Sequence, residues 1–375
     1  MANNQQKNIF HYDFWLLIGA FIALAFGLLI LASASMGISE HQYHNSFHFF
    51  YRQIIFIITG MVIAITLLRT PVVFWEKIGG YLLLIVMLLL VLVLIPGIGK
   101  HVNGSIRWIG IGPLTLQVSE LAKFGVVVYL AGYLVRREEE VQTSFEGFFK
   151  PLIILGFISL LLLLEPDFGS MAVIMFTMLG MIFLAKARMW QFIVLLIGVL
   201  VLMWILAISS PYRVMRLTSF LNPWATQYDS GYQLSQSLIA FGRGGIFGVG
   251  LGNGIQKLFY LPEVHTDFLF AVLAEELGIA GQLFVLLLFG CLVARALYIG
   301  RLAERAGEVF AGYLAYGLGL LLALQVVINI GVNIGVLPTK GLTLPLMSYG
   351  GSSIIFNCAI IAVLLRIHHE VKVDE

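Results

Sequence analysis

Charge is what this chain has least of. Of its 375 residues only 11% are Asp, Glu, Lys or Arg, whereas 60% are hydrophobic and the mean hydropathy is +0.96. A water-soluble domain carries about a quarter charged residues, so a soluble fold is excluded. The formal net charge is only +2, which offers no electrostatic footprint for nucleic acid or for a strongly acidic partner. Cysteine is nearly absent. Cys291 and Cys358 both sit inside apolar runs, which leaves no disulfide framework and no cysteine metal site. No internal repeat and no low-complexity tail is visible.

What is present is a series of long apolar runs. A helix needs about 20 such residues to cross the hydrocarbon core of a bilayer. Runs of this kind lie near 13–34, 50–68, 78–96, 117–135, 151–164, 168–185, 190–209, 269–297, 309–332 and 348–366. The fold class they predict is all-α, a polytopic membrane protein of about ten transmembrane helices, with 1–375 forming one membrane domain. The first run is followed by Ala32-Ser33-Ala34, which mimics a signal-peptidase site. It is longer than the apolar core of a secretory signal, about 7–15 residues, and reads as a retained helix.

Lys and Arg in the short connections set the orientation. Placing both termini in the cytoplasm puts Lys7, Arg69, Lys77, Arg136, Arg137, Lys150, Lys186, Arg188, Arg295, Arg301, Arg305, Arg366 and Lys372 inside, which is most of the cations. The segments left outside are 97–116, 210–268 and 333–347. The second is the large extracytoplasmic loop, and a connection of that length is usually functional. It carries two glycine-rich stretches, 241–245 and 248–254.

The outer loops hold the candidate chemistry. Leu261-Pro262-Glu263-Val264-His265-Thr266-Asp267-Phe268 leads directly into a membrane helix. Asp267 there could cap that helix or serve as a titrating group between desolvation and a helix dipole. Glu275 and Glu276 lie two turns on, at a depth where ionised groups face a cavity or a partner; at least one reads as an ion-pair member. Glu120 and Lys123, at i and i+3, share a helix face and suffice as a self-neutralising pair. Arg107 beside Trp108, Arg213 and Arg216, and Lys340 are outside cations suited to phosphate. Residues 335–353 contain Pro338, Pro345 and four glycines, so exposed backbone there must line a cavity, with Ser348 and Ser352 among its hydroxyls. Glu165-Pro166-Asp167-Phe168-Gly169-Ser170 reads as a turn and cap. His41, His44 and His48 read as a solvated loop. Cations around one acid at an apolar interface suit the phosphate or diphosphate of a lipid-linked substrate.

Several of these stretches are together similar to the SEDS family (shape, elongation, division, sporulation) of membrane peptidoglycan polymerases. The stretches are Arg107-Trp108, Gln117 to Lys123, Glu165 to Gly169, Leu261 to Phe268, Ala274 to Gly278 and Pro345 to Ser353. Residues 337–345 and 216–224 resemble its cell-division branch. Valine at 118 replaces a commoner proline. The resemblance implies ten membrane helices and glycosyltransfer from lipid II on the outer face, at the division septum. It implies Asp267 as the essential acid, and a role for a divalent cation, Mg or Mn. It also implies a class B penicillin-binding protein (FtsI-like) and septal activators as partners. A lipid flippase would place charges near the bilayer midplane and often show repeats, and a scaffold needs no acid at an outer cleft; both are weaker readings.

Overall fold

The computed structural model describes residues 12–102, 105–111, 114–186, 188–209, 211–338 and 341–374, except for the side chains of 101, 102, 111, 114, 145, 207, 211–213 and 374. Among these, ten apolar helices correspond one to one with the expected runs: α1 (Phe14–Tyr43), α2 (His48–Leu68), α3 (Val72–Val93), α4 (Val118–Arg136), α6 (Phe145–Leu164), α7 (Phe168–Leu184), α8 (Met189–Ile208), α11 (Leu269–Arg305), α12 (Val309–Asn333) and α13 (Gly351–Asp374). Nine are long enough to span a bilayer, and α7 is shorter but apolar. Helix α5 (Glu138–Thr143) links α4 to α6, while α9 (Pro211–Leu221) and α10 (Tyr232–Gly244) lie in the large loop.

The boundaries differ from the hydropathy reading where polar residues join a helix. α1 runs nine residues past 34, and α3 begins at Val72, where the Glu370 carboxylate accepts its N–H. α6 starts six residues before the expected 151 and contains Pro151. A proline there cannot donate to the carbonyl four residues back, which is that of Gly147. The Tyr133 hydroxyl donates to this carbonyl at 2.7 Å instead. The segment 97–116, expected as an outer loop, is largely a three-stranded antiparallel sheet, β1 (Gly99–Val102), β2 (Ser105–Ile111) and β3 (Leu114–Gln117).

Two polar clusters mark the depth of the bundle. At one end of the bundle, Asp13 caps α1 by accepting from Leu16 N at 2.8 Å and pairs with Arg295 of α11. Twenty residues higher on α1, or about 30 Å at 1.5 Å per residue, Ser33 donates to Glu276 at 2.7 Å and accepts from Lys257 at 2.7 Å. That spacing matches the hydrocarbon thickness of about 30 Å, so the Ser33–Glu276–Lys257 cluster sits at the opposite edge.

At the same level α11 is broken. Gly278 adopts φ 62°, ψ −159°, a conformation closed to residues with a Cβ. The turn that breaks should strand the carbonyls of Glu275 and Glu276 and the N–H groups of Ile279 and Ala280. All four are taken up by the glycine-rich loop: Val249 and Gly250 donate to the two carbonyls, and the two N–H groups donate to Gly245 and Ile246. Gly245, Gly248 and Gly250 themselves have positive φ, which is why this stretch is built of glycine. Backbone at membrane depth must find partners within the protein, and here the loop and the broken helix complete one another.

Candidate functional site

The half-helix that starts α11 is preceded by a tight turn. The Glu263 carbonyl accepts from the N–H groups of Thr266 and Phe268, both at 3.2 Å, and its carboxylate accepts from the Thr266 hydroxyl at 2.8 Å. Asp267 stands between those two bracketed residues. Its side chain does not cap the helix: Phe268 occupies the cap position without a side-chain bond, and the Ala271 N–H is met by Asn333 Oδ1 at 3.1 Å. Of the two roles open to Asp267 in the sequence, capping belongs to a residue of another helix.

Asn329 and Asn333, one turn apart on α12 and both buried, fix the main chain at this point. Each donates its Nδ2 to the Asp267 carbonyl at 3.0 Å. Asn329 also donates to Leu342 O at 2.6 Å, tying the 341–345 segment to the same clamp. A Cβ added to Gly341 would lie 2.8 Å from Asp267 Oδ2, so this glycine lets the segment close over the carboxyl. Burial pushes the Asp267 carboxyl up to about 7; Glu263 and Asp167 add to the rise, while Arg107 and Arg216 oppose it.

Arg107 lies on β2. Its guanidinium donates to Pro166 O at 2.5 Å and stands 3.6 Å from the Asp167 carboxylate. Asp167 caps α7, accepting from Ser170 N at 3.2 Å, as the sequence suggests; it also faces the site electrostatically, which the sequence reading did not foresee. Beside it Glu165 is fully buried, and among the described residues neither of its carboxyl oxygens has a hydrogen-bond partner. Burial, with the Asp167 charge, raises its carboxyl to about 8.

The structure thus brings Asp267, Arg107, Arg216, Asp167 and Glu263 into one electrostatic neighbourhood. The other candidates have separate work. Glu120 and Lys123 pair with each other at 2.7 Å inside α4. The expected site-lining role of Glu275 meets a competing use: its carboxylate is committed to Arg243 at 2.6 Å and to the N–H groups of Ile255 and Gln256, both at 3.1 Å. Glu276 is paired with Lys257 at 2.6 Å. Ser348 accepts from Leu344 N at 3.0 Å, and Ser352 accepts from Gln117 N at 2.8 Å and donates to Thr115 O; both hydroxyls brace the segments they join. Lys340 and the side chain of Arg213 lie outside the described residues. The asparagine clamp and Glu263 were not singled out from the sequence.

A bundle with ten apolar helices among the described residues, and a clamped acid in the field of two arginines at one edge, defines a polytopic membrane protein equipped to act on an anionic substrate at the membrane surface. The chain belongs to the FtsW/RodA/SpoVE family of cell cycle proteins, whose model it matches over residues 14–373. It is 57% identical to the "Probable peptidoglycan glycosyltransferase FtsW" of Coxiella burnetii, covering 96% of this chain and 97% of that one. With the protein of the same name from Legionella pneumophila it is 55% identical over 96% and 91% of the two chains. Among solved structures, the Thermus thermophilus rod shape determining protein RodA superposes with a TM-score of 0.72 at 29% identity, covering 97% of this chain and 98% of that one. A chain from a peptidoglycan synthase complex that coordinates polymerization and crosslinking gives 0.77 at 28% identity, over 96% and 98%.

Proposed function

We infer that this chain is a peptidoglycan glycosyltransferase of the FtsW type, polymerising lipid II into glycan strands, with Asp267 as the general base. In this reading Asp267 takes the proton of the acceptor's 4-hydroxyl as that oxygen attacks the anomeric carbon of the donor. The bond to the lipid diphosphate breaks with inversion, and the diphosphate leaves without needing a proton. One base therefore suffices, and base assistance is typically worth about 10²–10⁴ in rate. Arg107 and Arg216 stabilise the charge that develops on the leaving diphosphate, and positioning of two lipid-anchored substrates supplies much of the rest.

The observation that carries this reading is a carboxyl whose main chain is held by two buried asparagines and whose Oδ2 has Gly341 packed against it; burial raises that carboxyl to about 7. A base is most effective when its pKa lies close to the working pH. Among the described residues no three His, Cys, Asp or Glu side chains gather to hold a metal ion, so no step is assigned to the divalent cation that family resemblance suggests.

The orientation with both termini in the cytoplasm, septal localisation, and partnership with a class B penicillin-binding protein and septal activators belong to the same proposal. The deciding experiment is lipid II polymerisation by purified Asp267→Asn. Asn is isosteric and cannot take the proton, so polymer should vanish while the protein remains folded. Well-folded variant polymerising near the wild-type rate would falsify the assignment. A cysteine at Tyr228, which is 91% exposed, should react with an impermeant maleimide in intact spheroplasts; labelling only after lysis reverses the orientation.

A further inference from the structure

Glu263 lies outside the roles assigned above. It adopts φ 55°, a left-handed conformation that non-glycine residues rarely adopt. Its main-chain oxygen gathers the N–H groups on either side of Asp267, and its carboxylate is fixed by the Thr266 hydroxyl. The residue thus shapes the turn that presents Asp267, and its carboxylate is bonded to the side chain of the residue immediately before Asp267. A turn alone needs no carboxylate, since the carbonyl makes the turn. A fixed anion close to a second carboxyl disfavours ionisation of the second.

We propose that Glu263 is a positioning residue that sets the base strength of Asp267, its Thr266-anchored carboxylate opposing the two arginines. Arg107, on the sheet, and Arg216, on α9, favour the ionised acid; Glu263 and Asp167, on the two turns, disfavour it. Without Glu263 the arginines dominate, and Asp267 becomes a weaker base, ionised at lower pH. This inference rests on the reading of Asp267 as general base.

The test is the pH dependence of kcat/KM for lipid II polymerisation by the full-length protein, whose acid limb reports the base in the free enzyme. Glu263→Gln keeps the shape, and its amide oxygen can still accept from Thr266. It should move the acid limb to lower pH by about half a unit or more, with an equal or lower rate on the plateau. Glu263→Asp retains the charge and should keep the limb near the wild-type position. If the Gln variant loses activity at every pH, or is active with an unmoved limb, the inference is overturned and Glu263 only shapes the turn. Asp267→Asn separates the two claims: if that variant polymerises, the base assignment itself has failed, whatever Glu263 does.

Discussion

Asn333 donates to the main-chain carbonyl of Asp267 while its own amide oxygen accepts from Ala271 N, so one buried side chain of α12 holds both the acid's backbone and the start of the helix behind it. Removing it takes one of two amide donors from the Asp267 carbonyl and one of two acceptors from the Ala271 N–H, a loss of about 0.5–1.5 kcal/mol for each bond. Asn333→Ala should lower thermal stability and reduce kcat more than KM, because the acid loses its fixed position. Single-turnover and steady-state polymerisation, alongside thermal unfolding, give the comparison; a variant with wild-type kcat ends the clamp's claim to a role in catalysis.

Asp267 predicts an opposition between stability and activity. Its folded pKa of about 7 is above the ordinary unfolded value of about 3.9. The folded state therefore binds more protons than the unfolded state between those values, and stability falls as pH rises through that window. Activity runs the other way, rising as pH passes 7 and the base ionises. Asp267→Asn should unfold at higher temperature than wild type at pH 8 and at about the same temperature at pH 4. Equal melting temperatures at both pH values would show that the acid is not held against its charge.

Arg107 grips the 165–167 turn through Pro166 O and the Asp167 carboxylate. Lysine keeps the charge but lacks the planar fork, and cannot hold both. Arg107→Lys should lose most polymerisation, about tenfold or more, while still inserting in the membrane. Full activity would return Arg107 to the role of a headgroup anchor.

Gly341 closes against Asp267 Oδ2 with no room for a methyl group. Gly341→Ala should displace the carboxyl or lift the 341–345 segment, and activity should drop several-fold with the fold intact. An unaltered rate would mean that the segment yields without disturbing the acid.

Lys257 is the cation of the Ser33–Glu276 cluster, with Glu276 fully buried at its side. Lys257→Met strands that carboxylate and should destabilise the protein by about 3–5 kcal/mol. Adding Glu276→Gln should recover part of the loss. Recovery is the informative measurement: a double variant as unstable as the single one contradicts the pairing.

The spans were legible because 30 Å of hydrocarbon imposes a length and a composition that no other environment demands. Charged residues blurred their ends, as Glu76 and Lys77 did for α3. The small sheet was not legible, since its strands are four, seven and four residues long and Gly104 and Gly110 interrupt any alternation. Asp267, Arg107 and Arg216 stood out by charge at an apolar boundary. The clamp did not, because Asn329 and Asn333 lie in a run read only for its hydropathy. Two amides one turn apart in a membrane helix are expensive, and that cost was the available signal. For Glu275 and Glu276 depth alone left lining and ion pairing both open; the structure pairs Glu275 with Arg243 and the 255–256 backbone, and Glu276 with Lys257.

The broken turn of α11 and the glycine loop share four backbone hydrogen bonds, so neither segment is a complete piece of secondary structure by itself. For anyone exchanging parts between members of this family, the transplantable unit is residues 245–250 together with 275–280. A graft of the loop alone would leave the host helix with unmet carbonyl and amide groups within the bilayer. Sequence drift on one side of the break is likewise constrained by the other, across a separation of about thirty residues of chain.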